Sequence, residues 1–166
     1  MNNQAEQETF RQLLLQGTRL LKQGRSKKAL PLLQRAHEIK PQNPDAALNL
    51  SGAYILSGQF KKAIPILEGL REQEPRNAMV WTNLGAAYLG NPVLATDDQQ
   101  QEAVAAFERA LELDPDAPSV AYNIGLIFRD RQDRAKAIRW FRRAVETNPQ
   151  DRHAQNILEK LLAEEE

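Results

Sequence analysis

The chain has 166 residues, 42% hydrophobic and 27% charged, which fits a soluble protein with a substantial core. Its 22 basic and 22 acidic residues cancel, so no net field draws it to nucleic acid or to an anionic membrane. The absence of cysteine excludes disulfides, thiolate zinc sites and cysteine nucleophiles. Residues 1–11 are polar and do not form a secretory signal, and no apolar run approaches the roughly 18 residues of a membrane span. We therefore expect a cytoplasmic protein that does not contact a membrane.

One set of residues returns four times along the chain. Ala29, Ala63, Ala103 and Ala137 are each followed four residues on by leucine or phenylalanine, and twelve residues on by proline. The steps between successive copies are 34, 40 and 34 residues. A period of this size indicates one supersecondary unit copied along the chain, in which each copy buries its apolar face against its neighbours.

Each copy predicts two antiparallel helices. In the second copy Ala47, Leu50 and Tyr54 recur at helical spacing, Gly58 interrupts the run, and Ala63 begins a second helical series. A proline beyond the second helix stops it before the next copy begins. After the fourth copy, a further amphipathic segment that ends in Glu164, Glu165 and Glu166 predicts a capping helix. In chain order, this predicts a single domain with repeats at about 10–43, 44–77, 78–117 and 118–151 and a cap at 152–166.

The third copy contains the residues that point to a known family. They are Trp81, Leu84, Gly85, Tyr88, Ala103, Phe107, Ala110 and Pro115, and they resemble the tetratricopeptide repeat signature residue for residue. The first copy matches least well, with Gln16 where an apolar residue is usual. The resemblance implies an all-α, right-handed superhelical solenoid of antiparallel helix pairs with a C-terminal capping helix, acting as a protein–protein interaction scaffold. The fourth copy repeats the series as Ala121, Ile124, Gly125, Phe128, Ala137, Phe141, Ala144 and Pro149.

The third copy carries six more residues than the others, and they lie between Tyr88 and Ala103. Gly90 to Pro92 ends one helix, and Thr96 with Gln99 forms a capping box for the next. The surplus is therefore predicted as a longer turn near residues 92–97. It is either a tolerated surface insertion or a contact site.

Catalytic chemistry has little support in the sequence. His37 and His153 are the only histidines, and neither has a carboxylate or serine nearby at a recognisable spacing. No nucleophile motif and no glycine-rich phosphate loop is present. We therefore expect no enzyme activity, no cofactor and no metal.

Charge is locally uneven. Residues 129–143 contain seven basic side chains, and residues 97–116 contain seven acidic ones with Arg109 as their single cation. These biases predict ion pairs between the third and fourth repeats, each contributing at most about 1 kcal/mol. The alternative is an anionic partner such as nucleic acid on the fourth repeat, although Trp140 and Phe141 are predicted to pack and not to stack on bases.

The resemblance also implies a concave groove lined by the first helix of each repeat, which binds a peptide or partner segment. Three of the groove residues, Asn49, Asn83 and Asn123, would stack as a ladder, and an amide that both donates and accepts suits a peptide backbone. The groove residues predicted from the register are Leu14, Leu48, Asn49, Gly52, Met79, Thr82, Asn83, Ala86, Tyr122, Asn123 and Leu126.

One class of ligand is disfavoured by the resemblance. Co-chaperones with this fold hold the C-terminal carboxylate of a chaperone with two lysines, two asparagines and an arginine. The corresponding residues here are Leu14, Thr18, Asn49, Met79 and Asn83, of which only Asn49 agrees. The expected partner is therefore a protein or peptide segment other than a chaperone tail. Two alternatives stay open, a structural module that self-associates as a homo-oligomer and an anion-binding or nucleic-acid module.

Overall fold

In the computed structural model, which describes residues 3–163, the chain forms nine α-helices and no strand within that range. The all-α solenoid predicted from the sequence is confirmed. The three glutamates predicted to end the cap lie outside the described residues. The helices are α1 Asn3–Lys22, α2 Ser26–Ile39, α3 Pro44–Leu56, α4 Phe60–Gln73, α5 Ala78–Leu89, α6 Asp97–Leu113, α7 Val120–Asp130, α8 Arg134–Thr147 and α9 Arg152–Ala163.

Each helix packs mainly on its neighbours in the chain. The four predicted helix pairs are α1 with α2, α3 with α4, α5 with α6, and α7 with α8. Helix α9 packs on α8. The turns inside the first and second pairs place Gly24 and Gly58 at a φ of 72°, and the fourth places Gln132 at 59°. A left-handed residue lets the chain reverse within three residues, which keeps the paired helices antiparallel and close.

The start of α7 departs from the starts of α3, α5 and α9. Asn43, Asn77 and Asp151 cap those helices by accepting hydrogen bonds from backbone N–H groups of the first turn. The equivalent residue before α7 is Ala117, which has no side-chain acceptor. Helix α7 accordingly begins two residues later, at Val120, after Ser119 in the left-handed region with φ 63°.

Small and large residues alternate where the helices of a pair cross. Leu33, Leu67, Phe107 and Phe141 are fully buried at equivalent positions. A methyl group built on Gly85 would lie 2.6 Å from the Phe107 ring, closer than any real carbon contact. The glycine therefore lets α5 approach α6, and the aromatic ring fills the space that remains.

The extra length of the third repeat is shared between a turn and a helix. Residues 90–96 connect α5 to α6, and α6 begins six residues before Ala103, whereas α4 begins three before Ala63. The predicted capping box is confirmed, with Thr96 and Gln99 bonded reciprocally. Because this added turn of helix starts at Asp97, it also buries Gln100, whose Oε1 accepts a hydrogen bond of 2.7 Å from Arg131 Nε in the fourth repeat.

A half-buried tyrosine links the second and third repeats. The Tyr88 hydroxyl donates a hydrogen bond of 3.0 Å to Glu68 Oε1. Burial, reinforced by that carboxylate, raises the pKa of Tyr88 from 10.0 to about 12. The folded state therefore holds the phenolic proton more tightly than the unfolded chain does.

We expect this contact to make the stability of the protein fall at high pH. Between pH 10 and about 12 the unfolded chain loses the Tyr88 proton while the folded protein keeps it, so the free energy of unfolding decreases. The Tyr88→Phe variant should unfold about 1 kcal/mol more easily at neutral pH because it lacks the hydrogen bond. It should also lose less stability across the alkaline window, as urea unfolding of both proteins at each pH will measure. Equal alkaline losses would contradict the assignment.

Candidate functional site

A cavity of about 580 Å³ lies between α3, α5 and the start of α7. Helix α5 contributes the residues at 79, 82, 83 and 86, which follow one helical face. Helix α3 contributes its last turn, and α7 its first. The cavity brings together six of the predicted groove residues, namely Gly52, Met79, Thr82, Asn83, Ala86 and Asn123.

The other five predicted residues do not line this cavity. Leu14 and Leu48 pack half-buried on the core of the first repeats, and Leu126 packs on the core shared by α7, α8 and α9. The Tyr122 ring meets Phe141 edge to face, with centroids 5.7 Å apart. The Asn49 amide donates to the Asp45 carbonyl of its own helix at 2.8 Å.

Two amides of the predicted ladder face the cavity. Asn83 and Asn123 are half-exposed, and no described protein group hydrogen-bonds either side-chain amide. A methyl group built on Gly52 would lie 3.9 Å from Asn83 Nδ2, so the small residue leaves the amide accessible from α3. Each amide can therefore donate and accept one hydrogen bond with a ligand in the cavity.

The walls between the amides are apolar, and the sequence reasoning missed part of them. Leu56, at the end of α3, is 63% exposed, and Met79 is 58% exposed. Leu56 lies one helical turn after Gly52, so the i, i+4 spacing was the signal that could have found it. Ala117, Pro118 and Ser119, which directly precede α7, also line the cavity and were not predicted. Large apolar side chains this exposed beside a cavity mark a place where a partner can bury apolar area.

The cavity holds little charge. Of the described residues that line it, Asp114 is the one ionisable side chain, and no lysine or arginine takes part. A terminal carboxylate bound here would meet no cation and would be opposed by Asp114. The geometry instead suits an apolar side chain flanked by a peptide backbone.

The chain belongs to a known family by direct comparison. Two family models described as tetratricopeptide repeat match it, one over residues 20–87 and the other over residues 99–152. This chain is a tetratricopeptide repeat protein. Tetratricopeptide repeats form protein-interaction scaffolds in general. No curated protein sequence matches the chain significantly.

Solved structures share the tetratricopeptide repeat fold with this chain. A thermophilic protein of this family from Thermus thermophilus is 22% identical with TM-score 0.79, covering 93% of this chain and 82% of that one. PilF of Pseudomonas aeruginosa is 23% identical with TM-score 0.76, over 97% and 71%. YrrB, described as having an unusual peptide-binding site, is 20% identical with TM-score 0.65, over 85% and 70%. At these identities the likeness establishes the fold.

The described part of this tetratricopeptide repeat protein shows neither a cluster of metal ligands nor a membrane-spanning helix. Within residues 3–163, no three histidine, aspartate or glutamate side chains come together as a metal site. His37 lies on α2 and His153 on α9, at opposite ends of the solenoid. Across the same residues, none of the helices combines the length and the apolar character needed to cross a bilayer.

Proposed function

We propose that this protein is a non-enzymatic cytoplasmic scaffold that binds an extended peptide segment of a partner protein in its concave groove. One apolar side chain of the segment enters the cavity between α3, α5 and α7. The observation that carries the proposal is the cavity itself, whose exposed walls include Leu56 and Met79. A concave, largely apolar pocket with a few polar groups is the usual form of a recognition site.

The two free amides support an extended peptide as the ligand. Asn83 on α5 and Asn123 on α7 stand on either side of the cavity. A peptide unit offers one N–H and one C=O, which match the acceptor and donor of an asparagine amide. The peptide-binding site described for YrrB, a protein of the same fold, agrees with this use of a tetratricopeptide repeat surface.

The proposal is tested with peptides selected from a random display library against the wild-type protein. Isothermal titration should give an affinity about five- to hundredfold lower for the Asn83→Ala/Asn123→Ala variant, because each lost hydrogen bond contributes roughly 0.5 to 1.5 kcal/mol. Both side chains are half-exposed without protein partners, so thermal melts should change far less than binding.

Asn49→Ala is the matched control. Its amide is bonded to the Asp45 carbonyl and lies outside the cavity, so peptide affinity should stay at the wild-type value. A library that yields no binder, or binders that the double variant holds as tightly as the wild type does, would contradict the proposal.

A further inference from the structure

A second cavity, of about 290 Å³, adjoins the cavity between α3, α5 and α7, which we call the first cavity. The two cavities share one wall, formed by residues 117–119. From that wall the second cavity continues to Thr147 at the end of α8 and to Asp151, directly before α9. A peptide that crosses residues 117–119 therefore passes directly from one cavity into the other.

The lining of the second cavity is acidic. Asp116 and Asp151 are among the described residues that line it, and none of the others is basic. Asp114 lines the first cavity, so three carboxylates lie around the shared wall. A cleft whose charges all have one sign concentrates its field on a ligand of the opposite sign. The second cavity therefore favours a cationic group.

These carboxylates are not neutralised by other described residues. The prediction of ion pairs between the third and fourth repeats is wrong, because the ion pairs between described residues join neighbours at most three positions apart. The Asp116 carboxylate accepts no hydrogen bond within that part of the chain. Asp151 uses Oδ1 to cap α9, which leaves Oδ2 for a ligand. Arg143, which donates to the Pro115 carbonyl at 2.9 Å, does not line the cavity.

An aromatic ring adds a second feature that suits a cation. Tyr122, which the sequence predicts as a groove residue, lines the second cavity and not the first. The ring is half-buried, and its edge-to-face contact with Phe141 holds it in place, with centroids 5.7 Å apart. The face of an aromatic ring attracts an ammonium or guanidinium group. The ring and the carboxylates therefore select the same kind of side chain.

The acidic lining is not a general property of the repeats. An equivalent cavity, also of about 290 Å³, lies two repeats earlier, beside α3. It is lined by Gln42 and Gln73 at the positions that correspond to Asp116 and Thr147, and no carboxylate of the described residues lines it. The helix packing therefore provides the space in both places, and the local sequence adds the charge only beside α7.

We propose that the second cavity binds a lysine or arginine side chain of the same peptide whose apolar side chain occupies the first cavity. The inference rests on the proposed function and names the class of peptide that the site recognises. Asn123 lines the first cavity and Tyr122 the second, so a peptide backbone bonded to Asn123 passes the boundary between them. Because the cavities adjoin, the cation lies within about three positions of the apolar residue along an extended peptide.

Selection from a random display library on the wild-type protein tests the inference. The selected peptides should carry a lysine or arginine within about three positions of the apolar residue more often than the starting library does. Replacing that cation with glutamine should lower the affinity for the wild-type protein about tenfold, because a charge-assisted hydrogen bond is lost. Isothermal titration measures both peptides.

The Asp116→Asn/Asp151→Asn variant removes the charge and keeps the size of both side chains. It should bind the original peptide about tenfold more weakly and no longer distinguish it from the glutamine peptide. Asparagine at 151 still caps α9, so the thermal melt should change little. Asp97→Asn/Asp98→Asn is the matched control. It removes the same charge from exposed residues in the first turn of α6, outside both cavities, and should bind like the wild type.

The outcomes separate this inference from the proposed function. Peptides that need Asn83 and Asn123 but show no enrichment in lysine or arginine overturn the inference and leave the proposed function in place. So does an Asp116→Asn/Asp151→Asn variant that distinguishes the lysine and glutamine peptides as strongly as the wild type does. A library that yields no binder overturns both. The comparison of the two peptides on the wild-type protein decides the question even if the variant fails to fold.

Discussion

Replacing Gly85 with leucine is expected to destabilise the protein strongly. The first carbon of any side chain there would lie 2.6 Å from the buried Phe107 ring, and leucine adds three more carbons at the same crossing. Because Phe107 is fully buried, the ring cannot swing into solvent, so α5 and α6 must move apart. Overpacking of this kind typically costs about 1 to 3 kcal/mol, a large fraction of the stability of a domain this size.

Gly69→Leu is the matched control for that experiment. Gly69 also lies inside a helix, α4, but a methyl group built on it meets no atom within 4 Å. The variant should therefore unfold at the wild-type midpoint or slightly above it, because leucine favours a helix more than glycine does. Urea denaturation followed by circular dichroism compares the three proteins. If Gly85→Leu unfolds at the wild-type midpoint, the close crossing of α5 and α6 is not a constraint on the fold.

The Met79→Glu variant is expected to lose binding and keep its stability. Met79 is 58% exposed in the free protein, so a glutamate there stays hydrated. It would also occupy the first turn of α5, where a negative charge is favourable to the helix. When a peptide covers the cavity, that carboxylate must lose water beside Asp114 with no cation to pair with. We expect the affinity for selected peptides to fall about a hundredfold or more.

Val93→Glu provides the comparison for this second experiment. Val93 is 83% exposed in the turn between α5 and α6 and does not line the cavity. Titration with the same peptides should give the wild-type affinity. Equal losses in the two variants would show that the peptide lies against the inserted turn and not in the cavity.

Much of the fold could be predicted because its determinants are local. The residues that repeat at the fixed period, such as Ala63 and Leu67, are the ones that the structure buries completely. Thr96 and Gln99 specify a helix start through their own hydrogen bonds. The longer α6 was harder to foresee, because Asp97 and Asp98 favour a helix start only once the preceding turn and the buried Gln100 are in place.

The site was only half predictable, because it depends on how helices are offset from one another. Met79, Thr82, Asn83 and Ala86 follow one face of α5, and all four line the cavity. The same register applied to α3 and α7 predicted Leu48, Asn49 and Tyr122 as well, yet these helices meet the cavity only at their ends. Because Ala117 cannot cap a helix, α7 begins two residues later than the other repeats predict. The repeat spacing alone does not reveal this shift of the helix start.

The packing of each helix mainly on its neighbours in the chain bears on how the protein folds. No distant segments must find each other before the core can form, since the principal contacts join consecutive helices. Proteins with such local contacts reach the native state in microseconds to milliseconds. Folding can begin at any helix pair and extend in both directions, so helices that emerge early from the ribosome can form their core before the last repeat is synthesised.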